Sequence, residues 1–211
     1  RDFFPVAVEL LSHKVARHLD IKCPADSGVL LVRFAGSDRA VVSQTAQALK
    51  LLREDTGNQS MTVDDDATLW PRLAANQVRF SGDLSWRVVL KPADLATFIG
   101  DISALENEEA AFKSLDWHAG LGDGRLRATA RTPAYYREAV RALAKLRERA
   151  ETLEGRLFLD NAPAEIKAEF DPWGDPGSVR DLMKRVKAQL DPANLLSPGR
   201  FFSASSSIPS D

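Results

Sequence analysis

Three arginines and one histidine are the side chains of this sequence best suited to binding a small anion. His118 stands beside Gly120-Leu121-Gly122-Asp123-Gly124, three glycines in five residues, and Arg125 and Arg127 follow at once. Glycine accepts positive φ and lets backbone amides come close to a ligand, so a histidine held at such a turn can face a bound molecule. Guanidinium forks grip carboxylates with paired hydrogen bonds. Strand alternation puts positions 125 and 127 on one face, roughly 6.6 to 6.8 Å apart, a gap suited to a small dicarboxylate or hydroxy acid. Arg87 joins them only if its strand neighbours theirs, which spacing leaves open. The same residues also fit a hairpin with an incidental histidine, whose arginines pair with acids or face water.

Other chemistry is weaker. Cys23 is the only cysteine, which rules out an internal disulfide and fits a reducing cytosol. It precedes Pro24 without a partner pattern. His13 and His18 are five apart, poor spacing for one helix face, and read as surface residues. Asp64-Asp65-Asp66 lacks the glycine and glutamate of an EF-hand and reads as a solvated loop. No G-x-G-x-x-G follows a strand, and neither a Walker motif nor H-E-x-x-H occurs.

The chain has 211 residues, 44% hydrophobic and 27% charged, with net charge −2. That is ordinary globular composition. It favours neither nucleic acid nor an anionic membrane surface. No apolar run approaches the roughly 18 residues of a membrane helix. Arg1 in place of methionine reads as a fragment or trimmed start.

The elements that must position these residues follow from periodicity. Arg1 to Asp20, with the apolar run Val6 to Leu11, reads as a short helix or irregular lead-in. Val29 to Phe34 is a buried strand, followed by a helix from about Asp38 to Asp55 that Gly57-Asn58 closes. Met61-Thr62-Val63 is a weak strand, and Leu69 to Asn76 a short helix. Leu84 to Leu90 is the clearest strand, with Leu84, Trp86, Val88 and Leu90 on one face. A helix from about Ala93 to Leu105 carries Leu95, Phe98, Ile99, Ile102 and Leu105. Phe112 to Trp117 enters the glycine turn and Arg125 to Arg131 leaves it. Thr132 caps a helix reaching about Leu153, with Tyr136, Val140 and Leu143 inward. Gly155 ends it, and Arg156 to Leu159 is a last strand. After Pro163 comes a short helix. Ser178 to Leu190 is amphipathic, with Val179, Leu182, Met183, Val186 and Leu190 inward, and 203–211 is disordered. The pattern predicts an α+β fold: ferredoxin-like repeats forming an antiparallel sheet with helices layered on one face.

Two segments carry a family resemblance. Leu115 to Arg127 is similar to the His-Ala-Gly-x-Gly stretch of FAD-linked oxidases of the vanillyl-alcohol oxidase type, in their C-terminal domain. Leu190-Asp191-Pro192-Ala193-Asn194-Leu195-Leu196-Ser197-Pro198-Gly199-Arg200-Phe201 resembles the closing signature of that family, with Ser197 where asparagine is usual. Trp70-Pro71-Arg72-Leu73, Trp86-Arg87-Val88 and Asp171-Pro172-Trp173-Gly174 resemble the second FAD-binding-type subunit of bacterial glycolate oxidase. The resemblance implies a cap or substrate domain over 1–202, with the family's N-terminal FAD-binding domain absent from the chain. It implies His118 as catalytic residue and Arg87, Arg125 and Arg127 as binders of a small 2-hydroxy acid. It also implies Asn194 and Arg200 as contacts to FAD, which the missing domain would hold. Relatives with a metal have a second histidine at about the position of Arg127, and a later Glu-His pair in the region where this chain reads Leu159-Asp160-Asn161-Ala162-Pro163. One histidine cannot hold zinc, so no metal is expected. Partners are then an FAD-binding domain or partner oxidase subunits in the cytoplasm. A non-catalytic module that docks such subunits remains the alternative, and an anion-binding regulatory ferredoxin-like domain a third.

Overall fold

In a computed structural model the described residues are 4–24, 27–56, 60–63, 66–79, 83–109, 112 and 115–198. Gly57-Asn58, Asp64-Asp65, Gly199, Arg200, Phe201 and the 203–211 tail, each the subject of an expectation above, lie outside them.

Six strands form one antiparallel sheet. They are β1 Ala7–Leu11, β2 Val29–Arg33, β3 Leu84–Val89, β4 Asp116–Gly120, β5 Arg125–Ala130 and β6 Arg156–Asn161, in the order β2-β1-β4-β5-β3-β6. The helices are α1 His13–His18, α2 Asp38–Thr56, α3 Asp66–Arg79, α4 Leu95–Glu108, α5 Tyr136–Thr152, α6 Ala164–Glu169 and α7 Arg180–Leu190. The run β3-α4-β4-β5-α5-β6 follows the alternation of a ferredoxin-like unit once, and β1 and β2 extend its sheet. The fold is α+β.

Alternation along the strands sorts the two faces. Leu84, Trp86 and Val88 of β3, Leu126 and Ala128 of β5, and Leu157 and Leu159 of β6 are buried together under Phe98 and Ile102 of α4 and Leu143 and Leu146 of α5. Each fully buried side chain of this size contributes roughly 1.5–3 kcal/mol, and Trp86 adds a tilted ring contact with Phe112 at 5.1 Å between centroids. Leu11 points to the opposite face, where it packs with Val15 of α1, Leu19 just beyond that helix, Leu31 of β2 and Leu69 and Leu73 of α3. The helical stripes of α4 and α5 thus cover one face, and α1 and α3 add a smaller layer on the other at its β1–β2 end.

Several expectations change. Val6–Leu11 supplies strand β1, because both its neighbours, β2 and β4, offer backbone ladders to it. Met61-Thr62-Val63 is exposed and pairs with no strand. The helix expected over Leu69–Asn76 begins at Asp66 and takes Pro71 into its interior. The strand expected over Phe112–Trp117 lies later, at Asp116–Gly120, since Leu11 and Arg127 pair with His118 from either side. The turn therefore shrinks to Leu121–Gly124. Thr132 does not cap α5, which starts at Tyr136 without a side-chain cap. Instead its backbone N–H donates to Asp83 Oδ1 at 2.6 Å.

The largest departure is α7. The stripe expected to face inward is bare: no residue of α7 is buried, and Val179, Leu182, Val186 and Leu190 are 48%, 53%, 45% and 77% exposed. Its amphipathic pattern is real, but among the described residues nothing covers it.

Candidate functional site

The register answers the question spacing left open. His118 of β4 lies opposite Arg127 of β5, and Arg127 lies opposite Arg87 of β3, which faces Phe158 of β6. Directly opposed residues of an antiparallel ladder share a face. The four positions make one row across four strands, on the face away from α4 and α5. Arg125 sits one pleat further along β5, opposite Gly120 and Val89.

The row is capped at both ends by acids. At one end His118, only 4% exposed, places Nδ1 3.3 Å from Glu9 Oε2 while its buried Nε2 has no hydrogen-bond partner among the described residues. At the other end Arg87 donates from Nη1 to Asp160 Oδ1 and holds its guanidinium 5.1 Å from the Phe158 ring centre. Asp160, two residues beyond Phe158, lies on the same face as Arg87. Asn161 pairs with Ser85 and Leu159 with Trp86, so Asp160 is also the extra residue of a β-bulge between them. Burial pushes the Asp160 carboxyl above the usual carboxylate range, against the pull of Arg87 and Arg127. Arg125 is half exposed, its Nε 3.5 Å from Asp123 Oδ2. Asp123 also orders the turn, since its Oδ1 accepts from the Arg125 backbone N–H at 3.0 Å.

Beside the row, His18 Nε2 lies 3.6 Å from Asp116 Oδ2, and Lys14 Nζ lies 4.0 Å from Glu106 Oε1. Burial raises both carboxyls, and Asp116 raises Glu106 further. These pairs tie α1 to β4 and α4. Among the described residues no three of His, Cys, Asp or Glu gather where they would hold a metal ion. None of their helices is long and apolar enough to cross a membrane.

The closing segment is ordered from within. Asp191 accepts from the backbone N–H groups of Leu195 at 2.8 Å and Leu196 at 3.0 Å, and from Lys187 Nζ, which also donates to the Leu196 carbonyl at 2.7 Å. Asn194 takes φ 51, the left-handed region that asparagine tolerates better than most residues. Its N–H donates to the Asp191 carbonyl at 3.0 Å. The amides of Asn194, Leu195 and Leu196 are thus engaged inside the turn, and Arg200 lies outside the described residues.

The hydrogen bond from Lys187 holds the Asp191 carboxyl below its ordinary value of 3.8. A depressed carboxyl contributes stability that is present above the unfolded value and lost as pH falls through the folded one. Protection of the Leu195 and Leu196 amides is therefore expected to be constant above pH 3.8 and to fall below it. Asp191→Ala should remove that protection at every pH. Hydrogen exchange read by NMR checks this, and unchanged protection in the variant would show that another group holds the turn.

Residues 178–201 match the family described as FAD linked oxidases, C-terminal domain. The match is short and covers α7 with its closing turn; it supports reading the chain as a C-terminal domain of an FAD-linked oxidase. No curated protein matches the chain. Sequence reasoning singled out His118, Arg87, Arg125 and Arg127 but missed Glu9 and Asp160. The signal for Asp160 was its place in a strand-end stretch otherwise apolar, Leu157-Phe158-Leu159.

Proposed function

We propose that this chain is the C-terminal substrate domain of a flavin-dependent 2-hydroxy-acid oxidase or dehydrogenase of glycolate type, working with an FAD-binding domain or partner subunit in the cytoplasm. The observation that carries the reading is the cross-strand row His118–Arg127–Arg87. Arg127 and Arg87 would bind the substrate carboxylate, and Arg125 would add positive potential at the turn. FAD, held by the partner domain, would accept the hydride. His118 would act from beside the substrate, oriented through Nδ1 by Glu9. Because Nε2 is buried, that role requires the partner domain to open or remodel this end of the row.

The test is turnover of glycolate and lactate by the flavin-loaded assembly. Arg127→Ala and Arg87→Ala are each expected to raise KM about tenfold or more, the size of one lost charged hydrogen bond. Thermal unfolding is measured alongside, since Arg87→Ala also leaves Asp160 without that partner. If both variants keep wild-type kinetics, the row is structural.

A second reading has its own observation. The bare apolar stripe of α7 suits a domain whose role is to dock other subunits, without catalytic residues. Under that reading the arginine variants are silent, and Leu182→Asp on α7 disrupts assembly.

A further inference from the structure

The acid near the end of β6 bears on ligand choice at the arginine row. β6 continues past Leu159 with one residue more than its partner β3 uses, and that residue is Asp160. Asp160 follows Phe158 by two residues and so shares the face of Arg87. Its carboxylate accepts from that guanidinium, which Phe158 also flanks. Arg127, directly opposite Arg87, is close enough for its charge to act on the same carboxylate. The side chains of Arg87 and Asp160 are each about one-third exposed, at 36% and 35%, so solvent and small solutes reach them.

Any acid that binds these guanidinium groups does so beside a fixed negative charge. A monocarboxylate brings one anionic group, which the arginines can accept, and its hydroxyl end is neutral. A dicarboxylate brings a second anionic group into the same few ångströms. Like charges set side by side at a recognition surface disfavour the wrong partner, and partial burial weakens the screening that water would otherwise supply. We propose that Asp160 selects the charge of the ligand, admitting small monocarboxylates at the Arg87–Arg127 pair and repelling dicarboxylates. This narrows the wider expectation of a dicarboxylate or hydroxy acid, and it rests on the reading of that row as a substrate-binding face.

The test is binding to the 211-residue chain, followed by NMR shift titration, with lactate as the monoanion and malonate as the dianion. The wild-type chain is expected to bind lactate about tenfold or more tightly than malonate. Asp160→Asn should erase or reverse that preference, chiefly by strengthening malonate. Asp160→Glu, which keeps the charge one methylene further out, should retain it. Asp160→Ser serves as a second neutral variant if the amide disturbs the bulge. An equal lactate-to-malonate ratio in the wild type and the neutral variants overturns the proposal, as does failure of every variant to bind either acid. The outcome is separable from that of the functional reading. A domain that selects monocarboxylates but supports no 2-hydroxy-acid turnover in the flavin-loaded assembly would keep this selection and lose the oxidase assignment.

Discussion

Gly124→Ala is expected to destabilise the fold by roughly 3 kcal/mol or more, while Gly122→Ala, two residues away, should be nearly silent. Both glycines belong to the turn between β4 and β5, and the sequence offers no means of ranking them. Gly124 has φ 72, and a Cβ there would stand 2.0 Å from the carbonyl oxygen of Leu90. The obstacle is backbone, not the end of a flexible side chain. It is also a backbone the turn depends on, because Leu90 N–H donates to the Gly124 carbonyl at 2.8 Å and Gly124 N–H to the Gly120 carbonyl at 3.1 Å. An added methyl must push the turn off the end of β3 and break that contact. A methyl added at Gly122 would meet nothing within 4 Å, and the φ of that residue needs no glycine. Urea unfolding of the two variants decides the matter. A Gly124→Ala protein within about 0.5 kcal/mol of wild type, the ordinary range for a surface change, would show that the turn shifts freely. The row His118–Arg127–Arg87 would then be less rigidly placed than the register implies.

Much of this architecture was legible from periodicity alone. β3 and β5 alternate cleanly, and the stripes of α4 and α5 name the residues that are in fact buried: Phe98, Ile102 and Leu143. The failures have physical causes. Val6–Leu11 is short and apolar, a length at which strand and helix cannot be told apart without the neighbouring ladders. α7 shows why an amphipathic stripe specifies a partner surface without saying that the chain itself supplies it. The site was legible as residue types but not as an arrangement. His118, Arg127 and Arg87 come from three strands, and their alignment depends on strand order and register, which sequence spacing does not encode. Asp160 follows Phe158 by two residues, so alternation already gives it the face of Arg87; what spacing does not encode is that β6 lies beside β3 and brings the two within reach. Asn194, noted for a cofactor contact, sits where the turn needs a residue tolerant of φ 51.

Arg147→Ala should cost about 2–4 kcal/mol and loosen the whole segment from Asp171 onward. Arg147 lies on α5, yet its side chain works outside the helix. Nη2 donates to the Asp171 carbonyl at 2.6 Å and to the Leu157 carbonyl of β6 at 3.4 Å. Its guanidinium lies 3.9 Å from the centre of the Phe170 ring, and Gly174, at φ 72, comes close to the same side chain. Burial lowers its pKa, without any prospect of discharging a guanidinium. The residue thus joins α5, β6 and the Asp171-Pro172-Trp173-Gly174 loop, where Leu159 N–H also donates to the Pro172 carbonyl at 2.9 Å. That loop leads into α7, whose own residues bury nothing, so its attachment to the sheet runs through contacts such as these. Alanine removes the donor from two carbonyls and the cation from the ring. Lysine keeps the charge but not the fork, and is expected to recover only part of the loss. Thermal unfolding measures the cost, and hydrogen exchange along Arg180–Leu190 measures the loosening. If Arg147→Ala unfolds like wild type and α7 keeps its protection, the segment that matches the oxidase family is anchored by something other than this arginine.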